Sequence, residues 1–216
     1  MVRIKICGFT RPADVMAACK LGVDLVGVIL IPESSRYVAV DQARRIFRQV
    51  EAGVSKVAVF RPRNVDDIKQ TCEMLKPDCL QFHLSFPVED LLEIKGELDA
   101  QLMVVVPVPQ KIDRGEKIIN RALEVAEVAD FLLIDTEGAT GGGTGLTHEW
   151  SFSAKIRSVV GKPVFLAGGL NPVNVARAIE IVRPYGVDVA SGVETSPGIK
   201  DKKLMQAFVE AVRKVK

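Results

Sequence analysis

Hydrophobic positions along this chain fall into short continuous runs, separated by longer stretches in which apolar residues recur every three or four positions. Runs such as Leu25-Val26-Gly27-Val28-Ile29-Leu30 and Phe131-Leu132-Leu133-Ile134 are rich in β-branched side chains and carry no charge, as strands buried on both faces require. The pattern predicts eight strands, at about residues 3–7, 25–30, 56–60, 79–82, 102–106, 131–135, 164–167 and 188–190. Helices are predicted at about 12–21, 41–50, 65–75, 88–95, 113–128, 151–160, 172–182 and 202–215. Eight strand–helix units in succession predict an α/β fold, a (β/α)8 TIM barrel that takes in residues 1–216 as one domain. A doubly wound open sheet has the same alternation, but the G-x-G-x-x-G that usually follows its first strand is absent.

The last two runs end alike. Val164-Phe165-Leu166-Ala167 stops at Gly168-Gly169, and Val187-Asp188-Val189-Ala190 stops at Ser191-Gly192. Strand ends of this kind let backbone N–H groups approach an anion, and in (β/α)8 barrels the loops after strands 7 and 8 commonly hold phosphate. Between residues 136 and 149 lies a loop with Gly138, Gly141, Gly142, Gly143 and Gly145, long enough to close over a ligand.

Chemistry in such a barrel belongs at the C-terminal strand ends, where Cys7 and Asp135 fall. A thiol on a buried strand is ordinarily a small core residue, whereas a carboxyl after four apolar residues needs a partner or a task unless it caps the next loop. Arg36, in the loop after strand 2, is suited to gripping a carboxylate or to solvation, and His83 after strand 4 to a supporting donor or a strand end. His148 and Trp150 are expected to anchor the end of the glycine-rich loop. Period-two alternation puts Lys5 on the face of Cys7, and strands 1 and 8 are neighbours in a closed barrel, so Lys5 and Asp188 are expected to pair inside it.

Composition narrows the partners. A net charge of +2 without a basic stripe, and dispersed aromatics (nine Phe, two Tyr, one Trp), do not suggest nucleic-acid binding. The start has no secretory apolar segment and no run approaches a membrane span, so a cytoplasmic protein is expected. The four cysteines show no C-x-x-C spacing and read as free thiols; with two histidines, no metal is expected.

Taken together, Lys5-Ile6-Cys7-Gly8-Phe9-Thr10, Ser34-Ser35-Arg36, Leu132-Leu133-Ile134-Asp135, Gly142-Gly143-Thr144-Gly145, Leu166-Ala167-Gly168-Gly169-Leu170-Asn171-Pro172, Gly186-Val187-Asp188-Val189-Ala190-Ser191-Gly192-Val193-Glu194 and Pro197-Gly198-Ile199-Lys200-Asp201 resemble the phosphoribosylanthranilate isomerases of tryptophan biosynthesis. The resemblance implies an Amadori rearrangement of an aminoaldose to a 1-amino-1-deoxyribulose phosphate, without a cofactor. It implies Asp135 as the acid that opens the furanose ring, and Cys7, as thiolate, as the base that takes the C2 proton. Arg36 would hold the anthranilate carboxylate, with His83 and Asp188 also at the substrate. Gly143, Thr144, Gly145, Gly168, Gly169, Ser191 and Gly192 would hold the phosphate. The implied partner is a small phosphosugar–anthranilate, and the assembly a monomer or homodimer. Ser35, Leu84 and Glu149 depart from the family's usual Pro, Gly and Asp, which bears on loop geometry. Those roles require opposite tuning, because an ordinary Cys is mostly thiol and an ordinary Asp ionised at neutral pH. Lys5 or Arg36 is the candidate cation for Cys7.

Three other readings carry less of this pattern. The sister isomerase of histidine biosynthesis has Asp at the end of strand 1 and two phosphate sites; a sugar-phosphate epimerase needs a metal; a phosphosugar sensor needs neither Cys7 nor Asp135.

Overall fold

Eight parallel strands close into a barrel in sequence order, β1 to β8, and β8 returns to pair with β1. The strands are β1 (Arg3–Ile6), β2 (Leu25–Ile29), β3 (Ser55–Phe60), β4 (Cys79–Phe82), β5 (Gln101–Val108), β6 (Phe131–Thr136), β7 (Val164–Leu166) and β8 (Gly186–Val189). Helices follow in turn: α1 (Pro12–Lys20), α2 (Val40–Phe47), α3 (Val65–Leu75), α4 (Val88–Glu97), α5 (Gly115–Ala126), α6 (Trp150–Val159), α7 (Val175–Val182) and α8 (Lys202–Lys214). This computed structural model describes residues 1–61, 64–82, 86–137 and 146–215.

Alternation divides the strands into two faces. Outward residues such as Ile4, Ile6, Leu80, Leu132 and Val187 pack beneath the helices, while Leu25, Val57, Cys79, Met103, Leu133 and Phe165 fill the barrel as an apolar plug. Gly186 leaves space for that filling, since a Cβ there would collide with the Phe165 ring. Above the plug the interior turns polar, and there the site is built.

Element bounds shift by up to three residues from the sequence reading, as where α2 ends at Phe47 instead of 50, and two of the differences bear on the site. Helix α7 begins at Val175 instead of 172, because Asn171 Oδ1 accepts from the N–H groups of Val173 (2.9 Å) and Asn174 (3.1 Å) and holds the preceding turn out of the helix. After β8 a 3-10 turn (Ser191–Val193) leads into an antiparallel hairpin, β9 (Glu194–Ser196) and β10 (Ile199–Lys200), turned at Pro197-Gly198 with Gly198 at φ 80°. This hairpin lies over the end of β1: Thr10 Oγ1 donates to Gly198 O at 2.6 Å, and Asp14 Oδ2 accepts from Lys200 N at 3.1 Å.

Candidate active site

The register of β1 against β8 places Lys5 opposite Asp188, and Lys5 Nζ donates to Asp188 Oδ2 at 2.9 Å. Lys5 is wholly buried and Asp188 nearly so. Burial by itself would depress the amine, but Asp188, together with Cys7, lifts Lys5 above the ordinary lysine range. Removing one member of such a pair leaves the other charge uncompensated, a cost of about 3–5 kcal/mol. Asp188 Oδ1 is buried with no hydrogen-bond partner among the described residues.

Cys7 follows β1 directly and its side chain is buried, packed with Ile31 and Val59. Gly27 on β2 makes room for it: a Cβ at that position would stand 2.8 Å from the Cys7 sulfur. Burial pushes the thiol above its ordinary value, Asp188 adds to that push, and Lys5 and Lys200 oppose it. In the unliganded protein burial wins, so the thiol is the major form at neutral pH. Lys5 is thus one of the cations near Cys7, whereas Arg36 is engaged elsewhere.

Asp135 is the penultimate residue of β6, in register with Pro107 of β5. Burial and the negative charge of Asp188 raise its carboxyl to about 7, against smaller opposing effects of the Thr136 N–H and Lys5. At neutral pH it is therefore divided between acid and carboxylate.

Arg36 is buried, with its Nε and Nη2 forked onto Glu194 at 2.7–3.1 Å. Its aliphatic stem lies against Gly8, whose φ of 78° and missing Cβ permit the approach. Glu194 Oε1 also accepts from Lys200 Nζ at 2.7 Å and from Gly198 N at 3.2 Å. Arg36 and Lys200 hold the Glu194 carboxyl below the ordinary carboxylate range despite burial. Neither Glu194 nor Lys200 was assigned a role from sequence, although both fall within the motifs quoted above. The available signal was the Pro197-Gly198 turn, which folds Lys200 back toward β1.

The glycine-bearing strand ends are neighbours. Gly168 and Gly169 have φ of 86° and 63°, and a Cβ on Gly192 would run into the carbonyl of Leu170, so the loops after β7 and β8 touch through their backbones. Asn174 Nδ2 donates to Gly169 O at 3.0 Å and fixes the first loop. Gly168 packs directly on Thr136. Thr136 Oγ1 in turn bonds His148 Nδ1 at 2.8 Å, and His148 Nε2 meets Ser153 Oγ of α6. Burial lowers His148 to about 4, so it is a neutral strut between β6 and α6. Ser191 and Gly192, partly exposed, form the start of the 3-10 turn. His83, Leu84, Gly143, Thr144 and Gly145 lie outside the described residues.

All four cysteines are free and buried. Among the described residues, no group of three or more His, Cys, Asp or Glu is placed to hold a metal ion, and no helix is long and apolar enough to cross a membrane.

Residues 4–211 match the family model for N-(5'-phosphoribosyl)anthranilate (PRA) isomerase. The chain is 40% identical over 215 residues to the N-(5'-phosphoribosyl)anthranilate isomerase of Methanothrix thermoacetophila, with 99% of each chain covered. The phosphoribosyl anthranilate isomerase of Thermotoga maritima superposes with a TM-score of 0.89 at 34% identity, covering 99% of both chains. A further isomerase structure, in complex with reduced 1-(o-carboxyphenylamino)-1-deoxyribulose 5-phosphate, superposes at 0.85 with 32% identity and the same coverage.

Proposed function

The chain belongs to the N-(5'-phosphoribosyl)anthranilate isomerase family, and we propose that the rim built by Cys7, Asp135 and the Lys5–Asp188 pair carries out that isomerisation by acid–base catalysis. The observation that carries the reading is a thiol and a carboxyl at C-terminal strand ends, set in the field of one buried ion pair, with a carboxyl able to hold its proton near neutrality.

Asp135 gives its proton to the furanose ring oxygen, the C1–O bond breaks, and the anilino nitrogen takes up the cation as a protonated Schiff base. The Cys7 thiolate then removes the C2 proton, and the electron pair moves into an enolamine that tautomerises to the ketone. No electrons leave the substrate: C1 is reduced as C2 is oxidised. Arg36 meets the anthranilate carboxylate with the part of its guanidinium left beyond Glu194. The phosphate sits between the loops of Gly168-Gly169 and Ser191-Gly192, and Gly143, Thr144 and Gly145 are assigned to the same group. His83 and Asp188 complete the binding set. The enzyme works in the cytoplasm as a monomer or homodimer, on a small phosphosugar substrate.

Asp135 is raised only to about 7 whereas Cys7 is pushed above the ordinary thiol range, so the competent pair of thiolate and protonated carboxyl is a minority form. Its population is constant between the two pKa values. Accordingly kcat/KM rises with pH up to about 7, stays level, and falls only where the thiol itself titrates. Loss of the fluorescence of N-(5'-phosphoribosyl)anthranilate on adding the purified protein tests the reading, and binding without turnover would sink it. Inorganic phosphate should compete with that substrate; a noncompetitive effect would move the phosphate site.

A further inference from the structure

We propose that Lys200 is a positioning residue of this reaction, a buried ammonium at the seam of β1 and β8 that favours the Cys7 thiolate without touching the substrate. The inference rests on the reading of Cys7 as the base and deepens it. Lys200 Nζ donates to the Cys7 carbonyl, to Ala190 O at 3.1 Å and to Glu194 Oε1 at 2.7 Å. Three acceptors require three protons, which an amine has only in its charged form. The side chain is fully buried in its ion pair, and Nζ lies 5.5 Å from the Phe9 ring centroid. Burial lowers the Lys200 amine from its ordinary value and Glu194 opposes that, so the ammonium is desolvated, immobile and hydrogen-bonded to the backbone of the very residue that carries the thiol.

The charged groups around Cys7 are Lys5 on β1, Asp188 on β8 and Lys200 on β10, with Glu194 on β9 and Arg36 in the loop after β2 behind it, and Asp135 on β6. Lys5 favours the ionised form of both Cys7 and Asp135 while Asp188 disfavours both, so the central pair pushes base and acid in the same direction. Arg36 and Lys200 share the single carboxylate of Glu194, so this group of three keeps a net positive charge beside Cys7. Lys200 acts on Cys7 and is not among the groups that shift Asp135. Lys200 thus adds a positive charge on the Cys7 side of the mouth, held there by the hairpin folded over the end of β1.

A lysine that merely tied two strand ends together would support the fold equally well with or without an effect on the thiol. The test uses Lys200→Gln and Lys200→Met, which remove the charge, and Lys200→Arg, which keeps it. Alkylation of Cys7 by iodoacetamide, followed by peptide mapping in the full-length protein without substrate, gives the thiol midpoint directly. The neutral variants should raise that midpoint by about one pH unit and lower the level part of the kcat/KM profile about tenfold, with its alkaline limb moved up to match. Lys200→Arg should restore most of both. An unmoved midpoint, or equal loss in all three variants, overturns the proposal. So does failure of both neutral variants to fold, which would assign Lys200 to the fold alone. Full turnover by Cys7→Ser would instead remove the reading beneath it while leaving the thiol titration as found.

Discussion

The two sides of the barrel mouth use the same central ion pair to different ends. On the β1–β8 side Cys7 stands among cations and bridged strand ends, with Lys200, Glu194 and Arg36 locked into one buried network of charges. On the β6 side the support under Asp135 is neutral: Thr136, His148 and Ser153 are linked by hydrogen bonds, and burial keeps the imidazole uncharged. The difference teaches that what lies behind each group helps distinguish proton donor from acceptor, since Lys5 and Asp188 push both in the same directions.

The comparison is broken most directly by removing either proton-transfer group. Cys7→Ser and Asp135→Asn should each lower kcat by about 10²–10⁴-fold, and the double variant should lose little more than the worse single one, because the two act in one sequence of transfers. Steady-state kinetics on folded variants checks this, and near-normal kcat in either would end the assignment. Arg36→Ala comes next. It deletes a charge-assisted grip, raising KM roughly 10–100-fold with a smaller change in kcat. If the loss fell on kcat alone, Arg36 would belong to the network behind Cys7 instead of to the substrate.

The smallest effect concerns stability and has the opposite sign. Asp135 titrates higher in the folded chain, at about 7, than an unfolded aspartate near ~3.9, so the native state binds more protons between those values. Its contribution is therefore fully present below pH ~4 and is lost as pH rises through 7. Asp135→Asn removes that loss and should raise Tm by a few degrees at pH 8 with little change at pH 4. Thermal melts at the two pH values decide it; a lower Tm at pH 8 would mean that the carboxylate is held by partners strong enough to offset its burial.

Much of this architecture was legible in the chain. Continuous apolar runs set the strands, and parity along β1 together with barrel closure placed Lys5 against Asp188 before any coordinates. Local pattern carries such information because each strand residue must face either the plug or the helices. The charge network behind Cys7 was not legible. Glu194–Ser196 and Ile199–Lys200 are too short and too exposed to show alternation, and the meaning of Lys200 lies in residues that the fold alone brings beside it. Arg36 illustrates the same limit. Its position at a loop tip suggested a cation free to serve Cys7, but its charge is already shared with a residue 158 positions away.

Chain separation has a further consequence, for the order of events in folding. Lys5 and Asp188 are 183 residues apart, and Lys200 and the Cys7 carbonyl 193. These are among the most distant pairings the chain can make, and their loop-closure entropy must be met before they return any energy. The environment of the base is thus absent from any intermediate in which β8 and its hairpin have not yet docked on β1, however complete the other strands are. During refolding, protection of Cys7 from alkylation should lag behind the far-ultraviolet signal of helices and track only the last phase, since burial at the closed seam is what raises the thiol. The thiol is then a clock for ring closure.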